Sequence, residues 1–150
     1  MAVLYVASEE RGEGKTALCA SLAHELKRQG KRAAVLKPLL AADGNGHDPD
    51  PDVYHHLLGQ SETQPSFRLS RGKLTKKLME DIRHACDSVL EGQDLLVIEG
   101  TSNLSDEDTR RLVDTLGAKV LVLARYQADL EASHLARWRE IFGDEVVGFV

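Results

Sequence analysis

Residues Gly12-Glu13-Gly14-Lys15-Thr16 have the types and order needed to hold a phosphate. Glycines let backbone N–H groups curl around an anion, the lysine reaches the terminal phosphates, and the threonine hydroxyl can ligate Mg²⁺. With Arg11 before it and Ala17 after it, the run predicts a nucleotide-binding stretch over 11–17. The loop is acidic, with Glu9, Glu10 and Glu13 beside Arg11, and Glu9 stands where the usual glycine, four residues, Gly-Lys-Thr pattern places a glycine.

Other charged residues fall where they could join this chemistry. Glu99 closes the apolar run Leu95 to Glu99 and is followed by Gly100, so its carboxylate is expected at a strand end, near Thr16 if the two strands are neighbours. Lys37 ends a second apolar run just before Pro38 and could contact a phosphate or a carboxylate as a point charge. In the acidic stretch that follows, either Asp50 or Asp52 could be a second Mg²⁺ carboxylate. The histidines, including His55-His56, show no ligand spacing, and Lys73, Lys76 and Lys77 read as a solvated face. Trp138 shares a helical pattern with Leu130, His134, Leu135 and Ile141, which predicts packing rather than a site.

The elements that must position these residues can be read from periodicity. Ala2 to Ala7, Arg32 to Leu36, Leu95 to Glu99, Lys119 to Ala124 and Val146 to Val150 are short apolar runs, as expected of strands buried on both faces. Between them, apolar residues recur at helical spacing over Lys15 to Gln29, Val53 to Leu58, Leu74 to Leu90, Ser105 to about Gly117 and Leu130 to Ile141. Ala41 to Asp52, with Gly44, Gly46, Pro49, Pro51 and the aspartates at 43, 48, 50 and 52, reads as loop. Strands alternating with helices predict a three-layer α/β/α domain around a mainly parallel sheet of about five strands, with ligands at the strand carboxyl ends.

Composition narrows the function classes. The 150 residues suit one domain over 1–150, and a last strand ending on Gly148-Phe149-Val150 without a cap is expected of a piece of something longer. Acidic residues outnumber basic ones 24 to 19, and aromatic residues make up only 5%, so nucleic acid is not the expected partner. No apolar run is long enough to span a bilayer, and the first residues lack a basic n-region, so no membrane is expected and a cytoplasmic location is. Cys19 and Cys86 fall in helical segments without metal-ligand spacing, which predicts neither a disulfide nor a zinc framework.

Taken in order, Gly12 to Thr16, Lys37-Pro38, Asp50-Pro51-Asp52-Val53 and Val97-Ile98-Glu99-Gly100 resemble the dethiobiotin synthetase-like P-loop NTPases across essentially the whole chain. That family includes dethiobiotin synthetase, the cobyrinic acid a,c-diamide synthases and a synthetase-like N-terminal domain of phosphotransacetylase-type proteins. The resemblance implies ATP and Mg²⁺ as cofactors, with Lys15 and Lys37 contacting phosphates and substrate, and Thr16, Asp52 and Glu99 holding the metal. It also implies activation of a carboxylate or carbamate by phosphoryl transfer, a small carboxylate or amine as substrate, and a homodimer. Two stretches depart from the family pattern: Ser8 stands where the loop opens with glycine, and Thr101-Ser102-Asn103 replace alanine and two glycines. Glu10 stands where ParA- and MinD-like ATPases carry a signature lysine. Two other readings stay open at this stage: a nucleotide-sensing regulatory domain of a larger phosphotransacetylase-like protein, and a domain that keeps the fold without binding.

Overall fold

The computed structural model describes residues 1–40, 48, 50–60, 65–69, 73–125 and 132–150. The expected loop positions Asp43, Gly44, Gly46 and Pro49, and the start of the last helix at Leu130, lie outside the described residues. The chain runs β1 (Ala2–Ser8), α1 (Lys15–Arg28), β2 (Ala33–Leu36), α2 (Asp50–Leu58), α3 (Lys76–Leu90), β3 (Leu95–Glu99), α4 (Asp106–Leu116), β4 (Lys119–Leu123), α5 (Ala132–Phe142), a single 3₁₀ turn and β5 (Val146–Phe149). The five strands form one sheet in the order β2-β3-β1-β4-β5, and each neighbouring pair is parallel.

Period-two alternation along the strands divides the core into two layers. Tyr5, Ala7, Leu36, Leu96, Ile98, Val120 and Val122 face one side, where Ile82 and Cys86 of α3, Leu112 and Val113 of α4, and Trp138 and Phe142 of α5 cover them. Val6, Ala33, Val35 and Val97 face the other, packed by Cys19, Ala20 and Ala23 of α1 and Tyr54 and Leu58 of α2. Helices therefore cover both faces, the three-layer α/β/α arrangement predicted from the sequence. Trp138 is 6% exposed and stacks on Phe142, a packing role as expected. Cys19 and Cys86 are buried free thiols, and burial pushes the Cys86 thiol up to about 12.

Local chemistry sets the helix ends. Thr75 caps α3 by accepting from the Leu78 N–H, and Ser105 caps α4 by accepting from the Asp108 N–H. α3 accordingly starts at Lys76 rather than Leu74. α2 differs more from its expected span, starting at Asp50 instead of Val53. A proline in the first turn of a helix lacks only an N–H that would be unbonded there, so Pro51 does not stop the helix as the loop reading assumed.

Parallel pairing brings the carboxyl ends of β2, β3 and β1 side by side. Val6 is level with Glu99, and Leu36 with Ile98, so the loops after Ser8, Leu36 and Glu99 all leave the same edge of the sheet. At the opposite edge the Arg32 guanidinium donates to Asp94 Oδ1 at 2.9 Å, and the Arg32 backbone N–H to Asp94 Oδ2 at 2.9 Å.

Candidate functional site

α1 begins differently from the capped helices. Its N-cap is Gly14, with φ of 96°, and no side chain caps the helix; Gly12 has φ of 82°. Both values lie in the left-handed region that only glycine enters at little cost, and they turn the loop so that the helix start opens toward the sheet edge. The first turn of α1 carries no acidic residue, and its amide groups and dipole favour an anion.

A cleft of about 390 Å³ lies over this helix start, lined by Arg11, Gly12, Gly14, Lys15, Thr16, Ala17, Lys37, Asp48, Asp50, Glu99 and Gly100 to Asn103. Of the stretch predicted over 11–17, all but Glu13 line it. The acidic loop side chains turn elsewhere. Glu13 accepts from the Glu10 N–H at 3.2 Å, and Glu9 pairs with Arg137 at 3.0 Å across a second, smaller pocket. The charge that crowds the loop in the sequence is thus absent from the described lining of the cleft.

Lys15 lies across its own loop. Its Nζ donates to Ser8 Oγ at 2.5 Å and to the Glu10 carbonyl at 3.4 Å, while Ser8 Oγ donates to the same carbonyl at 2.8 Å. Burial holds the Lys15 ammonium below its usual range, with Glu99 and Glu13 opposing that effect. Ser8, the residue that replaces a glycine of the family pattern, is therefore the lysine's partner.

Glu99 is 3% exposed. Its Oε1 accepts from Thr16 Oγ1 at 3.0 Å and lies 3.7 Å from Lys37 Nζ, and its Oε2 accepts from the Tyr54 hydroxyl. Burial raises the Glu99 carboxyl above its usual range, against the lowering effects of Tyr54, Lys37 and Thr16. The expected proximity of Glu99 and Thr16 is thus met, because β1 and β3 are neighbours. The next residue fixes the turn: a Cβ on Gly100 would lie 2.6 Å from the Tyr5 ring. Tyr5, whose phenol burial keeps protonated, bonds to the backbone of Thr101 just beyond.

Lys37 is 7% exposed and is held by carboxylates. Its Nζ meets Asp48 at 2.8 Å and also pairs with Asp50. Burial works to lower its pKa, but hydrogen bonds to Asp48 and Asp50 and the charge of Glu99 outweigh that and raise it. Asp52 sits elsewhere, exposed in the first turn of α2 and outside the cleft lining, whereas Asp50 lies in it. The structure therefore draws Asp50, not Asp52, toward Lys37.

Two residues that hold the cleft's charged groups, Asp48 in its lining and Tyr54 in the core behind it, escaped the sequence reading. Asp48 left no local signal, since its partner Lys37 lies outside any periodic pattern shared with it. Tyr54 did leave one: once α2 begins at Asp50, Asp50 and Tyr54 are four residues apart on one helix face.

The donors near Thr16 are hard oxygens: one hydroxyl and the carboxylates of Glu99 and Asp50. That set fits Mg²⁺, which takes one or two carboxylates and completes its octahedron with phosphate and water. Among the described residues no group of three or more His, Cys, Asp or Glu forms a metal cage by itself.

A family model described as an AAA domain, AAA_26, matches residues 2–147. The chain belongs to this family of P-loop NTPases. It is 28% identical over 137 residues to the hydrogenobyrinate a,c-diamide synthase of Pseudomonas aeruginosa, covering 87% of this chain and 31% of the relative. The synthase of the same name from Stutzerimonas stutzeri is 28% identical over 134 residues, covering 85% of this chain and 31% of that one. The chain thus spans about a third of the length of the curated relatives it matches. Among solved structures, chloroplast FtsY from Physcomitrella patens aligns with a TM-score of 0.66 at 20% identity, over 99% of this chain and 48% of that one. The signal recognition particle 54 kDa protein from Aeropyrum pernix K1, in complex with GDP, also gives 0.66, at 12% identity over 96% and 33%. These likenesses show the fold of this chain, an α/β domain of the P-loop type.

Proposed function

We propose that this chain is a Mg²⁺-dependent ATP-binding domain that activates a carboxylate or carbamate by phosphoryl transfer, with a small carboxylate or amine as substrate. One juxtaposition carries the reading: an uncapped α1 start behind a Gly-x-Gly-Lys-Thr loop, with Thr16 bonded to Glu99 and Lys37 beside them in the same cleft. In this reading the loop amides bind the β-phosphate and Lys15 leaves Ser8 to pair with the terminal phosphates. Thr16 and Glu99 would hold Mg²⁺, with Asp50 beside them. Asp52, the position implied by family resemblance, would serve only if α2 presented it to the cleft. When bound, Mg²⁺ supplies positive charge against the phosphate oxygens.

Lys37 sits where charge would develop on a transferring phosphoryl group, and Asp48 and Asp50 keep it protonated and oriented. The side chains of Thr101, Ser102 and Asn103 extend the cleft past Glu99 and offer hydroxyl and amide groups to an acceptor. The proposal places the domain in the cytoplasm as a homodimer. Among the described residues no helix is long and apolar enough to cross a membrane.

The assignment of the metal residues is tested by titrating ATP into the chain with Mg²⁺ and with EDTA. Wild type should bind more tightly with Mg²⁺, and Thr16→Ala should lose most of that gain, about tenfold, because one hard ligand is gone. An unchanged Mg²⁺ gain in Thr16→Ala would remove Thr16 from the metal site.

A further inference from the structure

Tyr54 is fully buried, and its ring packs in the α1 face of the core among Val6, Cys19, Ala20, Val35 and Val97. Packing alone asks only for an aromatic ring there, which phenylalanine would supply. A phenol hydroxyl in that place must find a polar partner, because leaving it unbonded inside an apolar core costs free energy. It finds one in Glu99, donating to Oε2.

The two oxygens of Glu99 are therefore treated differently. Oε1 lies at the cleft with the Thr16 hydroxyl, 3.0 Å away, and Lys37 3.7 Å away. Oε2 is turned into the core and engaged by Tyr54. A carboxylate held this way has one oxygen at the phosphate side and cannot readily rotate to present both. The distinction matters for divalent cations: Mg²⁺ keeps a tight octahedron with single carboxylate oxygens, whereas Ca²⁺ takes six to eight oxygens and accepts carboxylates through both.

We propose that Tyr54 is a positioning residue that confines Glu99 to one cleft-facing oxygen and so makes the site prefer Mg²⁺ over Ca²⁺. The inference rests on the reading of the cleft as a Mg²⁺-ATP site. α2 gains a second role from it, because the helix that brings Asp50 to Lys37 also brings the hydroxyl that aims Glu99.

The test is calorimetric titration of ATP into the wild-type chain and Tyr54→Phe, each with Mg²⁺, with Ca²⁺ and with EDTA, after circular dichroism has established that the variant is folded. Wild type should gain more affinity from Mg²⁺ than from Ca²⁺. Tyr54→Phe should lose about tenfold of the Mg²⁺ gain, the usual effect of removing a hydrogen-bond partner of a ligand, so that the two cations become nearly equivalent. In a Glu99→Gln chain the same substitution should add no further loss. An unchanged ratio of Mg²⁺ to Ca²⁺ affinity would overturn the proposal. So would an equal loss in all three conditions, which is what a purely structural tyrosine gives, or a full additional loss on top of Glu99→Gln. If wild type shows no cation-dependent binding at all, the underlying reading fails and the proposal with it; if wild type shows it and only the ratio is unmoved, the failure belongs to Tyr54 alone.

Discussion

Two groups of ions flank the carboxyl end of β1, and they are built in opposite ways. Toward β3 and β2, Lys37, Asp48 and Glu99 are removed from water, with side-chain exposures of 8%, 3% and 4%. Toward α4 and α5, Arg137 bridges Glu9 and Asp106 with exposures of 48%, 46% and 53%. Both groups reach the loop after Glu99, since Thr101 and Ser102 line the cleft and the smaller pocket alike. An exposed ion pair costs little to form and contributes little, whereas burying charges carries a desolvation penalty that attraction only partly offsets. A fold built for stability alone would put apolar side chains where Lys37 and Glu99 sit. Their presence at the edge where α1 opens is what the proposed function uses, while the second group ties the surface.

The contrast can be broken by removing the cation from each side. Lys37→Ala leaves Asp48 and Glu99 buried without their counter-charge, and urea denaturation should show a loss of about 3 kcal/mol. Arg137→Ala, which removes two solvated pairs and a guanidinium 5.8 Å from the centre of the Trp138 ring, should lose about 1 kcal/mol. Equal losses would mean that the Lys37 group is no more buried in effect than the surface tether.

Next in size is the turn shared by both regions. Gly100→Ala places a Cβ 2.6 Å from the Tyr5 ring, whose own hydroxyl is tied to the Thr101 backbone, so neither side can move freely. The expected cost is about 1–3 kcal/mol by the same assay, as for an overpacked core position. ATP affinity should fall with it, because the turn carries Glu99. A variant of wild-type stability and affinity would show that the turn relaxes without disturbing the carboxylate.

The smallest effect lies at the far edge of the sheet, where Arg32 holds the exposed Asp94 carboxyl down to about 2, first through its side-chain hydrogen bond and then through its backbone N–H. A depressed carboxyl pKa stabilises the fold above its ordinary value of 3.8, and that contribution is lost as pH falls from there toward about 2. Asp94→Asn should therefore lower the neutral-pH urea midpoint slightly and flatten its fall over that acid window. An identical acid limb in both chains would show that the pair contributes nothing in solution.

Much of this was legible before the structure, and the exceptions share a cause. β3 follows the predicted Leu95 to Glu99 span, and α4 starts just after Ser105, where the expected helical span begins, because both depend on local pattern alone. The Gly12 to Thr16 loop could be read because backbone conformation, helix start and chemistry are encoded in adjacent residues. Glu99 could be placed near Thr16 only on the condition that β1 and β3 pair, which they do. Asp48, Asp50 and Tyr54 were harder, because their partners Lys37 and Glu99 are distant in sequence and a proline-rich stretch hid the first turn of α2. Choosing Asp50 over Asp52 needs the direction in which that turn faces the cleft, which composition does not contain.

The most direct test of the nucleotide site is calorimetric titration of ATP with Mg²⁺ into wild type, Lys15→Ala and Arg137→Ala. The account predicts that Lys15→Ala weakens binding about tenfold to a hundredfold, the loss of a charged hydrogen bond to phosphate, while Arg137→Ala binds like wild type. Equal affinities for wild type and Lys15→Ala would contradict it.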